Sequence, residues 1–198
     1  MGLKERRIQE KENMKRQILD SAMELVSKKG LCSLTIRCLA EQIQYSPSII
    51  YEYFENKESI CKGMCTLICK ELLSSLKKVP SDDDPDEYLL NLVRANVNFL
   101  NKRTQGIELL TLVCFGPDSS QIPEDFLEVV ELYSQALKRC DCKRLQTQKD
   151  LDDALDVIRS LHVGMITLSQ HQTSIQGLKR IGNSLENGIR SLLRGWKN

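Results

Sequence analysis

Eight cysteines and two histidines are the side chains of this 198-residue sequence best suited to metal or redox chemistry. Cys61, Cys65 and Cys69 recur at every fourth residue and would share one face of a helix. Two turns spread those three sulfurs over about 12 Å, too far for all to bind one ion at ~2.3 Å. Only a pair completed by outside ligands could hold a soft metal or answer an oxidant. Buried cysteine packs as a small apolar residue, so core packing is expected for these three, and no metal site is assigned. Cys140 and Cys142 form a second close pair. His162 and His171 stand nine residues apart, not at the i, i+4 of a helical zinc site. There is no Gly-x-Ser-x-Gly elbow and no phosphate-cradling glycine loop. Neither an enzyme nor a cofactor is expected.

A different chemistry is concentrated between Thr35 and Phe54, which read TIRCLAEQIQYSPSIIYEYF. Thr35 can open a short helix with Ile36, Leu39, Ala40 and Ile43 turned inward. Ser46-Pro47 can open another, serine as N-cap and proline at the first helical position. Two short helices joined by a tight turn are the geometry of a helix-turn-helix. The second has a narrow buried side, Ile50 and Phe54. It offers Ser46, Pro47, Ser48 and Ile49 outward, where they can meet base edges in a major groove. Tyr51 and Tyr53 carry phenolic hydroxyls and Lys57 a cation, all suited to phosphate oxygens.

The elements that must position these groups are helical throughout. Apolar residues recur with a period of 3.6, and no period-2 segment stands out. A first helix carries Ile18, Leu19, Ala22, Leu25 and Val26 and stops at Lys28-Lys29-Gly30, basic residues followed by a glycine. Asn56 can cap a fourth helix from Lys57 to about Lys78. Pro80 to Asp86 reads as a linker, and helical patterns then cover Glu87–Lys102, Gly106–Phe115, Pro123–Cys140, Gln148–His171 and Ile175–Trp196. The predicted fold is all-α, with a three-helix DNA-binding domain at residues 1–60 and a helical regulatory and dimerisation domain at 61–198. No apolar run approaches the ~20 residues of a membrane span, and the charged N-terminus is no signal peptide. The expected compartment is the cytoplasm. Net charge is only +1, but six basic residues face three acidic ones between Met1 and Arg16, and SDDDPDE at Ser81–Glu87 is wholly acidic in charge. A basic end and an acidic joint suit an anionic partner at the N-terminal end alone. The basic arm itself, Lys4, Arg6 and Arg7, also fits a solvated tail.

Over residues 14 to 65 the sequence resembles the TetR family of transcriptional regulators. Arg16, Ile18-Leu19, Ala22, Leu25 and Gly30 fit that family's first helix, and Thr35-Ile36-Arg37 with Leu39-Ala40 its second. Ser46, Ile50, Tyr51, Tyr53-Phe54 and Lys57 fit its recognition helix and the start of the next. The resemblance implies that Thr35 caps the second helix and Arg37 points toward DNA. Ser48 and Ile49 would face bases, Tyr51 and Tyr53 would grip phosphates, and Lys57 would anchor the backbone. The family's usual turn glycine is Gln44 here. A left-handed conformation at that position would cost about 1 kcal/mol more than with glycine. The usual glycine and threonine near the start of the recognition helix are Ser48 and Ile49, which favours apolar contact with a thymine methyl.

For the larger body the resemblance implies a pocket for a small, largely apolar effector and a homodimer built on the last two long helices. Val157, Leu161, Gly164, Met165 and Leu168 make one apolar stripe; Ile181, Leu185, Ile189 and Leu192 make another. Pocket candidates are Phe99, Cys114, Phe115, Phe126, Tyr133, His162 and Met165, apolar walls with a few polar handles. The implied function is a repressor released from double-stranded operator DNA by its effector, with no membrane partner. Two alternatives keep the fold: a cysteine-based redox or metal sensor, and a helical protein-interaction adaptor.

Overall fold

The computed structural model describes residues 2–114, 122–170 and 175–198, which form nine α-helices and no strand. They are α1 (Leu3–Lys29), α2 (Ile36–Ile43), α3 (Pro47–Tyr51), α4 (Lys57–Leu76), α5 (Pro85–Asn101), α6 (Thr104–Cys114), α7 (Glu124–Arg139), α8 (Gln148–Gln170) and α9 (Ile175–Lys197), with a single 3₁₀ turn at Leu31–Ser33. Among the described residues no helix is long and apolar enough to cross a membrane.

Two helix starts differ from the sequence pattern. The apolar stripe of the first helix begins at Ile18, yet α1 starts at Leu3, so the basic arm is helical rather than a loose tail. Residues 3–17 contain neither glycine nor proline and are rich in Glu, Lys, Arg and Gln, all good helix formers. Arg6–Glu10 and Arg16–Asp20 pair across one turn, each at 2.9 Å. The linker is also shorter than the Pro80–Asp86 of the sequence pattern, because α5 begins at Pro85. Asp84 caps α5, its Oδ1 accepting from the Asp86 N–H at 2.9 Å, and Pro85 is the first helical residue. The acids therefore sit at the positive end of a helix dipole, where like charge is tolerated.

The chain divides into two compact units. The first takes in α1, α2, α3, α4 as far as Leu67, and α6 from Glu108; the second runs from Ile68 to Ile107 and from Ile122 to Asn198. In the first unit Ile18, Ala22, Leu39, Ile50, Ile60 and Met64 are wholly buried. At Gly63 on α4 a Cβ would fall 2.8 Å from a methyl of Leu19, so glycine lets α1 lie close against that helix. Gly30 ends α1 at φ 78°, a backbone that L residues avoid, and its N–H returns to the Val26 carbonyl at 2.8 Å.

In the second unit α5 packs against α7, α8 and α9, and α8 packs against α9. Leu89, Leu92, Ala136, Leu137, Ile158, Leu185 and Ile189 lie in its core. An ion-pair network closes the α5–α9 contact. Arg94 reaches Glu186 at 2.6 Å and Glu87 at 2.7 Å, and Arg190 reaches Glu87 at 2.8 Å. The paired guanidinium groups hold both carboxyls below the ordinary range.

Candidate functional site

Between α2 and α3 the backbone is fixed almost entirely by its own neighbours. Thr35 caps α2, its Oγ1 accepting from the Cys38 N–H at 3.1 Å. Leu39, Ala40 and Ile43 turn inward, while Arg37 and Glu41 stay in water and pair at 3.1 Å. Gln44 then takes the left-handed conformation, φ 59° and ψ 37°. Its N–H returns to the Glu41 carbonyl and that of Tyr45 to Ala40, the two bonds of a Schellman ending. A residue with a Cβ therefore occupies the position where glycine would be unstrained.

Ser46 is the residue before α3, as expected, but it does not cap that helix with its side chain. Its hydroxyl instead meets the Ser48 hydroxyl at 2.7 Å. Pro47 supplies the first helical residue. The five-residue α3 is pinned by Ile50, which is 0% exposed, and by Phe54, whose N–H bonds the Ile50 carbonyl at 2.9 Å. The other side is left in solvent. Ser48 is exposed, Ile49 and Tyr53 are half-buried, and Tyr51 is 57% exposed, a large aromatic left in solvent. The half-buried Lys57 opens α4 behind a reciprocal cap. In it the Ser59 N–H donates to Asn56 Oδ1 at 2.8 Å and the Asn56 N–H to Ser59 Oγ at 3.2 Å. Thr35, Arg37, Ser46, Pro47, Ser48, Ile49, Tyr51, Tyr53 and Lys57 thus all fall in one capped segment of the first unit.

A second constellation lies in the other unit. Tyr133 of α7 donates its hydroxyl to the Leu92 carbonyl at 3.1 Å and accepts from Asn96 Nδ2 at 3.2 Å. Burial pushes the Tyr133 phenol up, so it stays protonated. The His162 ring of α8 stands edge-on to Tyr133 at 5.8 Å. His162 Nδ1 lies 2.9 Å from the Ile158 carbonyl oxygen. A carbonyl only accepts, so Nδ1 carries the proton and Nε2 is a bare acceptor. Desolvation lowers the histidine to about 4, which keeps it neutral. His162 Nε2 and Asn96 Oδ1 are both buried and have no hydrogen-bond partner among the described residues. Asn96 was missed by sequence reasoning. Its signal was a polar residue on the α5 face that also carries Leu89, Leu92, Val93 and Leu100.

Of the other pocket candidates, Phe126 is buried on α7, and Phe99 and Met165 pack half-buried against the core that holds Tyr133. Phe99 also lies under the Arg103 guanidinium at 5.2 Å. Cys114 falls in the first unit, where its sulfur stands 3.7 Å from that of Cys65 on α4. Phe115 lies outside the described residues. Cys32 and Cys38 are exposed, and the other six cysteines are buried. Burial raises the Cys61 and Cys142 thiols and pushes Cys140 up to about 12, which suits packing rather than thiolate chemistry.

Residues 18–64 match the family described as bacterial regulatory proteins, tetR family. In fold the chain is similar to BioQ of Mycobacterium smegmatis, with a TM-score of 0.71 at 21% identity, covering 92% of this chain and 97% of that one. It is similar to BioQ solved with its double-stranded DNA operator, with a TM-score of 0.62 at 22% identity, covering 87% and 98%. A TetR variant from Acinetobacter baumannii AYE in complex with minocycline gives a TM-score of 0.68 at 19% identity, covering 91% and 94%. Comparison with curated proteins finds no match.

Proposed function

From the premise that this chain belongs to the TetR family of bacterial DNA-binding regulators, we propose that it is a repressor, released from operator DNA by a small effector. The observation that carries the DNA half is the two-sided α3. Ile50 is locked in the core while Ser48 and Tyr51 stand in water beside the half-buried Ile49 and Tyr53. A helix held this way offers its free side to a groove. Ser48 and Ile49 meet base edges, Tyr51, Tyr53 and Lys57 meet phosphates, and Arg37 supports them from α2. The BioQ fold carries operator DNA in a similar arrangement of helices. The DNA-binding domain is residues 1–60 and the regulatory domain 61–198. One short recognition helix reads few bases, so two copies pair on half-sites roughly 34–36 Å apart.

Selection from random duplexes tests this directly. With the selected duplex, Lys57→Ala should weaken binding to every sequence and lower the salt slope by about one. Replacing Ile49 should change which base is preferred. If neither variant alters binding, the reading fails.

The effector half is supported by His162 Nε2 and Asn96 Oδ1, two buried acceptors without donors among the described residues. Leaving such atoms unmatched costs about 1–3 kcal/mol each. A largely apolar molecule carrying an N–H or O–H donor matches them, with Phe99, Tyr133 and Met165 in the same core as apolar walls and Phe126 as a further candidate on α7. Because α4 belongs to both units, a change in its tilt is the route from effector to reader. Coupling of 1–3 kcal/mol would weaken operator binding roughly 5- to 150-fold, and DNA would weaken effector binding by the same factor. A compound that raises the melting temperature through these residues yet leaves operator affinity unchanged would count against release.

One observation favours a second input, the Cys65–Cys114 approach at 3.7 Å. Thiol titration and a bound-metal assay on the purified protein, compared with Cys114→Ser, separate it from the effector reading.

A further inference from the structure

The N-terminal half of α1 has no role in the reading above, although its side chains are not arranged at random. Ile18, Ala22 and Leu25 mark the buried face of α1 at spacings of four and three. Continued toward the N-terminus, the same spacing passes through Lys15, Lys11, Arg7 and Lys4. One helix face is therefore apolar where it lies against its own unit and basic where it runs past it. Glu5, Glu10 and Glu12 fall off this face. Two of them are occupied, Glu10 by Arg6 at 2.9 Å and Glu5 by the Gly2 N–H at 2.8 Å. Lys4, Arg7 and Lys11 are exposed and pair with no acid among the described residues. Ile8, 57% exposed, stands among them.

The basic face also has a definite neighbour. Arg7, Glu10, Lys11 and Met14 line a groove whose other wall is Glu52 and Tyr53, the residues that follow α3, and Glu10 is already paired to Arg6. The stripe thus begins beside a tyrosine assigned above to phosphate and continues along α1. From Lys11 to Lys4 it extends about 10 Å, at 1.5 Å per residue. Successive phosphates of one strand advance about 3.4 Å along a duplex, so this span matches roughly three of them.

We propose that the overhanging half of α1 is a second DNA-contacting surface, in which Lys4, Arg7 and Lys11 bind backbone phosphates of the duplex flanking the bases read by α3. The proposal rests on the reading of the chain as a DNA-binding regulator. It requires affinity to depend on the length of the flank and not on its sequence, because phosphates carry no base identity.

The test uses the full chain and a selected duplex, with and without a flank on each side. Lys4→Ala, Arg7→Ala and Lys11→Ala are combined, and an off-face control combines Arg6→Ala with Arg16→Ala. All five positions are solvent-exposed and alanine favours helix, so circular dichroism should report an unchanged fold. Three lost phosphate contacts lower the salt slope by about 2.7 per half-site, so for each half-site wild type should lose about 40-fold more affinity than the triple variant between 50 and 200 mM salt. Trimming the flank should weaken wild type and leave the triple variant unchanged. An equal effect of the off-face control, or no effect of the triple variant while Lys57→Ala still weakens binding, overturns the inference and spares the DNA-binding reading. Wild type that binds no selected duplex overturns both. Stripe-dependent binding to phosphatidylserine vesicles without any flank dependence would assign the face to a lipid surface and overturn the proposal.

Discussion

At position 162 a histidine is buried with its Nδ1 against the Ile158 carbonyl and its Nε2 unmatched. Burial lowers it from 6.5 to about 4. A group lowered in this way binds its proton more readily in the unfolded chain. Stability is therefore complete above about pH 6.5 and declines as pH falls toward 4. Glu87 and Glu186, also lowered, add their own decline only as pH drops below 4.5. Urea unfolding between pH 7 and 4 should show wild type losing stability across the upper window while His162→Phe stays nearly flat there. Parallel curves for the two proteins would mean that His162 is not buried as a neutral base.

At the scale of the element, the α2–α3 turn is where local preference and local structure disagree. Gln44 sits at φ 59° because the Schellman bonds of α2 demand a left-handed residue, and Leu39 and Ala40 on one side and Ile50 on the other fix where the chain must turn. Gln44→Gly should remove the Cβ strain and raise the unfolding free energy by about 1 kcal/mol, read by denaturant titration. Thr35→Ala removes the cap at the other end of α2 and should lower it by about the same amount. Operator affinity of Gln44→Gly should stay near wild type, since Gln44 faces neither base nor phosphate in this reading. A large loss of stability in Gln44→Gly would show that its side chain, not its backbone, holds the turn.

At the scale of the whole molecule, the proposed homodimer needs a surface able to pair two copies. The sequence offers Leu185 and Ile189 as seam residues, but they are 2% and 0% exposed within the chain's own core. Packing from α5 and α8 covers that stripe first. On α8 the outward side is different: Val157 is 42% exposed and Leu168 58%. Gly164 is exposed between them, and a Cβ built there meets nothing within 4 Å. In the proposed homodimer this side would be the seam. Leu168→Asp should yield a folded monomer by analytical ultracentrifugation at micromolar concentration, whereas Leu185→Asp should unfold the chain. A Leu168→Asp protein that still sediments as a dimer would move the seam elsewhere.

The sequence by itself determined what depends on residues within a turn or two of one another. Helix periods, the Thr35 cap, the proline start of α3, the glycine end of α1 and the order of residues 18–64 are of this kind, because backbone hydrogen bonds and caps reach only three or four positions. The all-α fold and the helix-turn-helix were legible for that reason. Only the tertiary structure decided which distant groups meet and which faces remain uncovered. Asn96 finds Tyr133 across 37 positions and Cys65 finds Cys114 across 49, and no local spacing encodes either approach. Two apolar stripes that look equivalent in the sequence become one core face, Leu185 and Ile189, and one open face, Val157 and Leu168, because burial is settled by which helix packs there first. The basic arm follows the same logic in reverse. Its residues always had the spacing of a helix face, but whether that face ends in water or beside Tyr53 depends on where α3 is held.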